Sequence, residues 1–139
     1  MNVLGVLYAT QAAVRGMPWQ GSGHVVFISS LAARCVPSPE ATIYAAIKHA
    51  ITAVVEGLRT ELLGEDIRVT SVEPALVRTA SSPKARTRAP KSSTREGIRP
   101  LRDAPSEAEN VASAVLYAVE QPERVSVDEI LVRSTEQPK

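Results

Sequence analysis

Two short β-rich runs, HVVFISS at 24–30 and IRVTSV at 67–72, enclose a helical pattern that spans 43–63. Neither run alternates cleanly between polar and apolar residues, the mark of strands covered on both faces. Strand, long helix and strand in this order predict a parallel pair joined by a helical crossover. The pattern continues on either side. Residues 2–17 place Val3, Leu4, Leu7 and Tyr8 on an i, i+3, i+4 spacing and predict a helix, which QGSG at 20–23 interrupts. Residues 31–42, with two prolines, predict a loop. Gly64 supplies the stop for the 43–63 helix, and Pro74 ends the second run.

Residues 80–105 hold four prolines and many polar residues, so they read as irregular or only partly ordered. SEAENVASAVLYAVEQ at 106–121 opens with Ser106 and Glu109 as a capping box and predicts a helix to Pro122. VSVDEILVRS at 125–134 predicts a third strand. Strands that alternate with helices argue for an α/β fold, a parallel sheet with helices on both faces.

Composition narrows the function classes. The 139 residues have the length of one domain, and 44% hydrophobic against 22% charged residues fits a globular chain. A formal net charge of +1 points to neither a nucleic-acid nor a membrane partner. Cys35 is the single cysteine, which excludes an internal disulfide and fits a reducing compartment. No apolar run reaches the ~18 residues of a membrane span, and the N-terminus has no basic region of a signal peptide, so the cytoplasm is the default location.

Chemistry concentrates around IYAAIKHA at 43–50. Tyr44 and Lys48 stand four positions apart and share a helix face. Such a pair alone reads by default as two side chains on a solvated helix face. Its neighbours raise the functional reading. Ser30 ends the preceding strand at the carboxyl edge, where open α/β sheets place ligands. PALVRT at 74–79 follows the next strand at the same edge, and Asn2 opens the first helix. Neighbouring strand side chains point to opposite faces, so only one of Ser29 and Ser30 is expected to reach such a site.

MNVLGVLYATQAA, GHVVFISSLAA, YAAIKHA, GLRTELLGEDIRVTSVEPALVRT and DEILVRST resemble successive segments of the short-chain dehydrogenases/reductases. The resemblance covers nearly the whole chain and is weakest over 80–105. It implies the C-terminal, catalytic part of a doubly wound, Rossmann-like parallel sheet. It implies a reaction too, the interconversion of an alcohol and a ketone or aldehyde by hydride transfer with NADP or NAD, NADP slightly favoured. A phenol ionises near pH 10 in water, and a neighbouring ammonium favours its anion. Tyr44 would then be the acid/base and Lys48 its tuning group, which also holds the nicotinamide ribose. Ser30, the second serine of ISS, would hydrogen-bond the substrate oxygen. Asn2 would position a water in a relay through Lys48. Pro74, Ala75, the backbone around Val77 and the hydroxyl of Thr79 would hold the nicotinamide carboxamide; Thr79 also reads as a simple turn cap.

Two departures accompany the likeness. The Ser30–Tyr44 separation is one residue longer than usual in the family, which the loop must absorb. Ala75 replaces a customary glycine, at about 1–2 kcal/mol if that backbone needs positive φ. A third feature is larger: no glycine-rich strand-to-helix turn exists to cradle a pyrophosphate, since GSG at 21–23 precedes a strand. The expectation is a truncated and impaired chain, or one whose start is misassigned, with an open strand edge and uncovered helix faces.

The resemblance implies small alcohol or carbonyl substrates, 3-hydroxy acids among them, and a homo-oligomer through helices 2–17 and 43–63. Seven basic residues between Lys84 and Arg102 face only Glu96. They suggest an acidic substrate under a covering loop, or merely a solvated segment. His24, His49 and Cys35 have no metal-ligand spacing, and Trp19 is expected to cover the end of the first helix. The alternatives are a non-catalytic homologue acting through dimerisation, or a binding module using the basic 84–102 segment.

Overall fold

The computed structural model describes residues 2–78 and 106–135, with the Asn2 side chain, Thr79 and the basic 84–102 segment outside the described residues. Helix α1 runs Asn2–Val14, and a short α2 runs Met17–Gln20. The single helix expected over 2–17 is therefore two. Gly16 breaks the first, and Pro18 suits the opening turn of the second, where its missing N–H is no loss. Strand β1, Gly23–Ile28, follows at close quarters: a Cβ on Gly23 would stand 2.6 Å from Met17 Sδ.

Helix α3 spans Thr42–Glu61, after two single 3-10 turns at Leu31–Ala33 and Pro39–Ala41. Gly64, at φ +92°, gives the left-handed turn that releases the chain into β2, Ile67–Pro74. Strands β3, Val77–Arg78, and β4, Ser106–Glu107, precede α4, Ala108–Val119, and β5, Glu129–Val132.

Strand β2 lies between β1 and β5, and both pairings are parallel. Gly23 stands opposite Ile67 and Ile28 opposite Val72, and Ser71 opposite Glu129. Strand β3 pairs in parallel with β4, where Arg78 meets Glu107 at 3.2 Å. The main core lies between the sheet and α3. Phe27, Ile67 and Val69 meet Ile51, Val55, Leu58 and Leu62, with Val6 and Val14 of α1 at its border. Each such aliphatic side chain contributes about 1.5–3 kcal/mol. The alternate residues of β2 turn to the other face, where Arg68 reaches the end of α4. The parallel, helix-covered sheet is as expected.

Several boundaries differ from expectation, each for a physical reason. β1 ends at Ile28 rather than residue 30, because Ser30 turns the chain into the first 3-10 turn. The expected capping box of Ser106 and Glu109 is displaced by one residue. Ser106 is buried and its N–H bonds the Leu76 carbonyl, so Glu107 and Asn110 form the box instead. β5 is four residues rather than ten. Carbonyls ahead of it serve side chains: Val125 accepts from Arg68 and Val127 from Thr70, while Asp128 accepts from Arg59 as well as from the Ser71 N–H of β2. β2 continues through Pro74, two residues further than expected.

Candidate active site

The carboxyl ends of β1 and β2 meet the first turns of α3. There Tyr44 and Lys48 stand one turn apart, with Lys48 Nζ 5.7 Å from the centre of the Tyr44 ring. That distance lies within the range of a cation–π contact. The same ammonium donates to the Ser29 carbonyl at 3.5 Å, a long contact that ties α3 to the strand end. Both side chains line a cleft of about 440 Å³, shared with Val6, Thr10, Phe27 and Ile28. Tyr44 is half-exposed.

The two serines divide their work. Ser30 caps the Leu31–Ala33 turn, its Oγ accepting from the Ala32 N–H at 3.2 Å. A hydroxyl that accepts keeps its own proton to donate. Ser29 is buried, and its Oγ has no partner among the described residues. Its main chain is fully used, with N–H to the Val72 carbonyl at 2.8 Å and carbonyl to Lys48.

Beyond β2, Ala75 N–H bonds the Val132 carbonyl at 2.9 Å, and the Leu76 carbonyl accepts from Ser106 at 2.9 Å. Pro74 is buried and Val77 half-buried, so the turn expected to meet a nicotinamide is gripped from both sides. Asn2 opens α1, as expected, and its side chain and Thr79 lie outside the described residues.

Sequence reasoning passed over a charged cluster beside this turn. Glu73 bonds Arg34, which also bonds Glu129; Arg59 Nη1 lies 3.7 Å from Glu129. The bond to Glu73, then that to Glu129, raises the Arg34 pKa. A signal existed: Glu73 directly follows a run read as a covered strand, and a carboxylate buried there demands a partner. Cys35, by contrast, is exposed, and His49 Nδ1 bonds the Ala45 carbonyl of its own helix.

The donor set fits the nicotinamide end of a dinucleotide. Lys48 offers ammonium protons beyond the one spent on Ser29, Tyr44 offers a hydroxyl, and both face one cleft. Among the described residues, the two left-handed glycines, Gly21 and Gly64, each precede a strand and neither lies in a strand-to-helix turn. A larger cleft of about 810 Å³ lies elsewhere, between α1 and α3 at Leu7, Val14, Val54 and Leu58. Among the described residues no helix is long and apolar enough to cross a membrane.

Residues 1–90 match a family model described as short chain dehydrogenase. An uncharacterized oxidoreductase of Staphylococcus aureus (strain N315) is 38% identical over 133 residues, which are 96% of this chain and 52% of the relative. The closed form of serine dehydrogenase complexed with NADP+ is similar at a TM-score of 0.79 and 25% identity, covering 99% of this chain and 54% of that one. Acetoin dehydrogenase from Enterobacter cloacae is similar at a TM-score of 0.72 and 27% identity, over 94% and 50%. The chain thus spans about half the length of the curated relatives it matches.

Proposed function

The chain belongs to the short chain dehydrogenase family, and from that premise we propose that it serves an NADP- or NAD-dependent oxidoreductase interconverting an alcohol and a ketone or aldehyde. The observation that carries the reading is the Tyr44–Lys48 pair at the mouth of β1, its ammonium over the phenol ring and both groups in one cleft. A bound nicotinamide supplies or accepts the hydride. Tyr44 gives the proton to the nascent alkoxide in reduction and removes it in oxidation. Lys48 stabilises the phenolate and holds the ribose hydroxyls. Ser30 donates to the reacting oxygen, where charge develops. Pro74, Ala75, Val77 and Thr79 hold the carboxamide, and Asn2 orders a water that returns protons through Lys48.

NADP is favoured over NAD, in line with the NADP+ complex of the similar serine dehydrogenase. The substrate is a small hydroxy or carbonyl compound and the setting the cytoplasm. The apolar cleft between α1 and α3 supports pairing of these helices between copies. A second reading is a non-catalytic homologue that acts through that pairing, and the same cleft at Leu7, Val14, Val54 and Leu58 supports it.

The test is to incubate the protein at its native length with NADPH or NADH and a panel of small ketones and aldehydes. The proposal expects oxidised cofactor and alcohol to form in equal amounts. Helix pairing without nucleotide binding would favour the second reading.

A further inference from the structure

Glu73 heads the largest completely buried side chains, with 1% of its surface exposed. A carboxylate withdrawn from water requires a matched cation and further hydrogen bonds. It has both. Ser71 Oγ donates to one oxygen at 3.4 Å, and Arg34 Nε donates to the other. The Nη2 prong of the Arg34 fork reaches across to Glu129 on β5. A planar guanidinium can bridge two carboxylates in this way, whereas a lysine acts as a single point of charge.

What this clasp holds is the chain segment that carries Ser30. Arg34 ends the 3-10 turn, its N–H bonding the Leu31 carbonyl at 2.9 Å. Ala33 N–H bonds the Ser30 carbonyl at 2.9 Å, and Ala32 N–H bonds the Ser30 hydroxyl. Residues 30–34 are therefore one hydrogen-bonded unit. Its near end is fixed by the Ser29 bond to Val72; its far end is fixed by Arg34 on Glu73. The residues after Glu73 are Pro74 and Ala75, and Ala75 is bonded to Val132 of β5.

We propose that Glu73 is a positioning residue for the reaction, holding the Ser30 turn against the carboxyl end of β2 through Arg34. Its functional meaning rests on the alcohol–carbonyl reading above. Arg34 is thereby spent on two carboxylates, and it is a strut of the site rather than a contact for the substrate.

A structural role and a positioning role separate in the paired variant Arg34→Met/Glu73→Leu. Replacing a buried ion pair by apolar side chains often leaves stability intact, so the thermal midpoint should hold. The turn loses its far anchor all the same. Amide exchange at Ala32 and Ala33 should quicken about tenfold while the Val55 and Leu58 amides keep their protection. In the native-length protein kcat should fall about tenfold to a hundredfold, with KM for the nicotinamide cofactor little changed, the scale of a 1 Å misplacement. Glu73→Gln, which keeps the shape and drops the charge, should move both readouts in the same direction by about threefold or more. Arg34→Lys should restore only part of either. Unchanged exchange at Ala32 and Ala33 in the paired variant and in Glu73→Gln overturns the proposal, as does faster exchange with wild-type kcat. A wild-type protein that turns over none of the carbonyl compounds sinks the functional reading instead. Exchange then still decides whether Glu73 fixes the turn.

Discussion

His24 Nε2 lies 2.7 Å from Thr70 Oγ1, and that hydroxyl donates its one proton to the Val127 carbonyl at 2.7 Å. The imidazole must therefore be the donor to Thr70, so its Nε2 carries the proton and Nδ1 is left as an acceptor. Nδ1 is buried and has no partner among the described residues. Burial, and then the nearby Arg68 guanidinium, push the His24 pKa below its ordinary value of 6.5. The folded state thus prefers the neutral ring.

The sign of the pH dependence follows. Between the lowered folded pKa and 6.5 the unfolded chain binds the extra proton, so stability falls as pH drops through that window. It is complete above 6.5 and levels off below the folded pKa. His24→Gln keeps an N–H for Thr70 and cannot titrate. The difference in thermal midpoint between wild type and His24→Gln, followed from neutral to mildly acidic pH, should move against the wild type below 6.5. A constant difference would refute this assignment.

Arg68 closes the C-terminal end of α4. Its Nη1 donates to the Gln121 carbonyl at 3.0 Å and the Val125 carbonyl at 3.3 Å, and Nη2 donates to Val119 at 3.4 Å. A cation at this end also complements the helix dipole. Arg68→Met should lower stability by about 1–3 kcal/mol, with the last turn of α4 exchanging first. Arg68→Lys should recover part of the loss. Denaturant unfolding with amide exchange checks both.

The two faces of α3 should answer differently to truncation. Leu58 is buried in the main core, and Leu58→Ala should cost about 2–5 kcal/mol. Ile43 is 74% exposed, and Ile43→Ala should stay within about 0.5 kcal/mol. Similar losses at both positions would mean that Ile43 is covered in solution.

Much of the fold was legible because the signals were local. HVVFISS and IRVTSV read as covered strands, and Gly64 marked the end of the helix between them. Pro18 and Gly16 also carried a signal, a break within 2–17, that the apolar spacing masked. Ser106 resembled a cap in sequence, yet a strand bond to Leu76 claims its N–H. The clasp of Arg34 and Glu73 joins residues 39 positions apart, beyond the reach of any spacing rule. In the site, the Tyr44–Lys48 pair stood out only through its company, with Ser30 before it and PALVRT after it at the strand ends. The competition between Ser29 and Ser30 was not legible, because it depends on where β1 stops and which hydroxyl the 3-10 turn takes up.

The central claim is that Tyr44, with the Lys48 ammonium over its ring, moves the proton. The direct measurement is turnover of the native-length protein against Tyr44→Phe with reduced nicotinamide cofactor and a small carbonyl substrate. The account predicts a fall in kcat of about 10²–10⁴ with cofactor affinity changed only a few-fold. Wild-type turnover in Tyr44→Phe would contradict it.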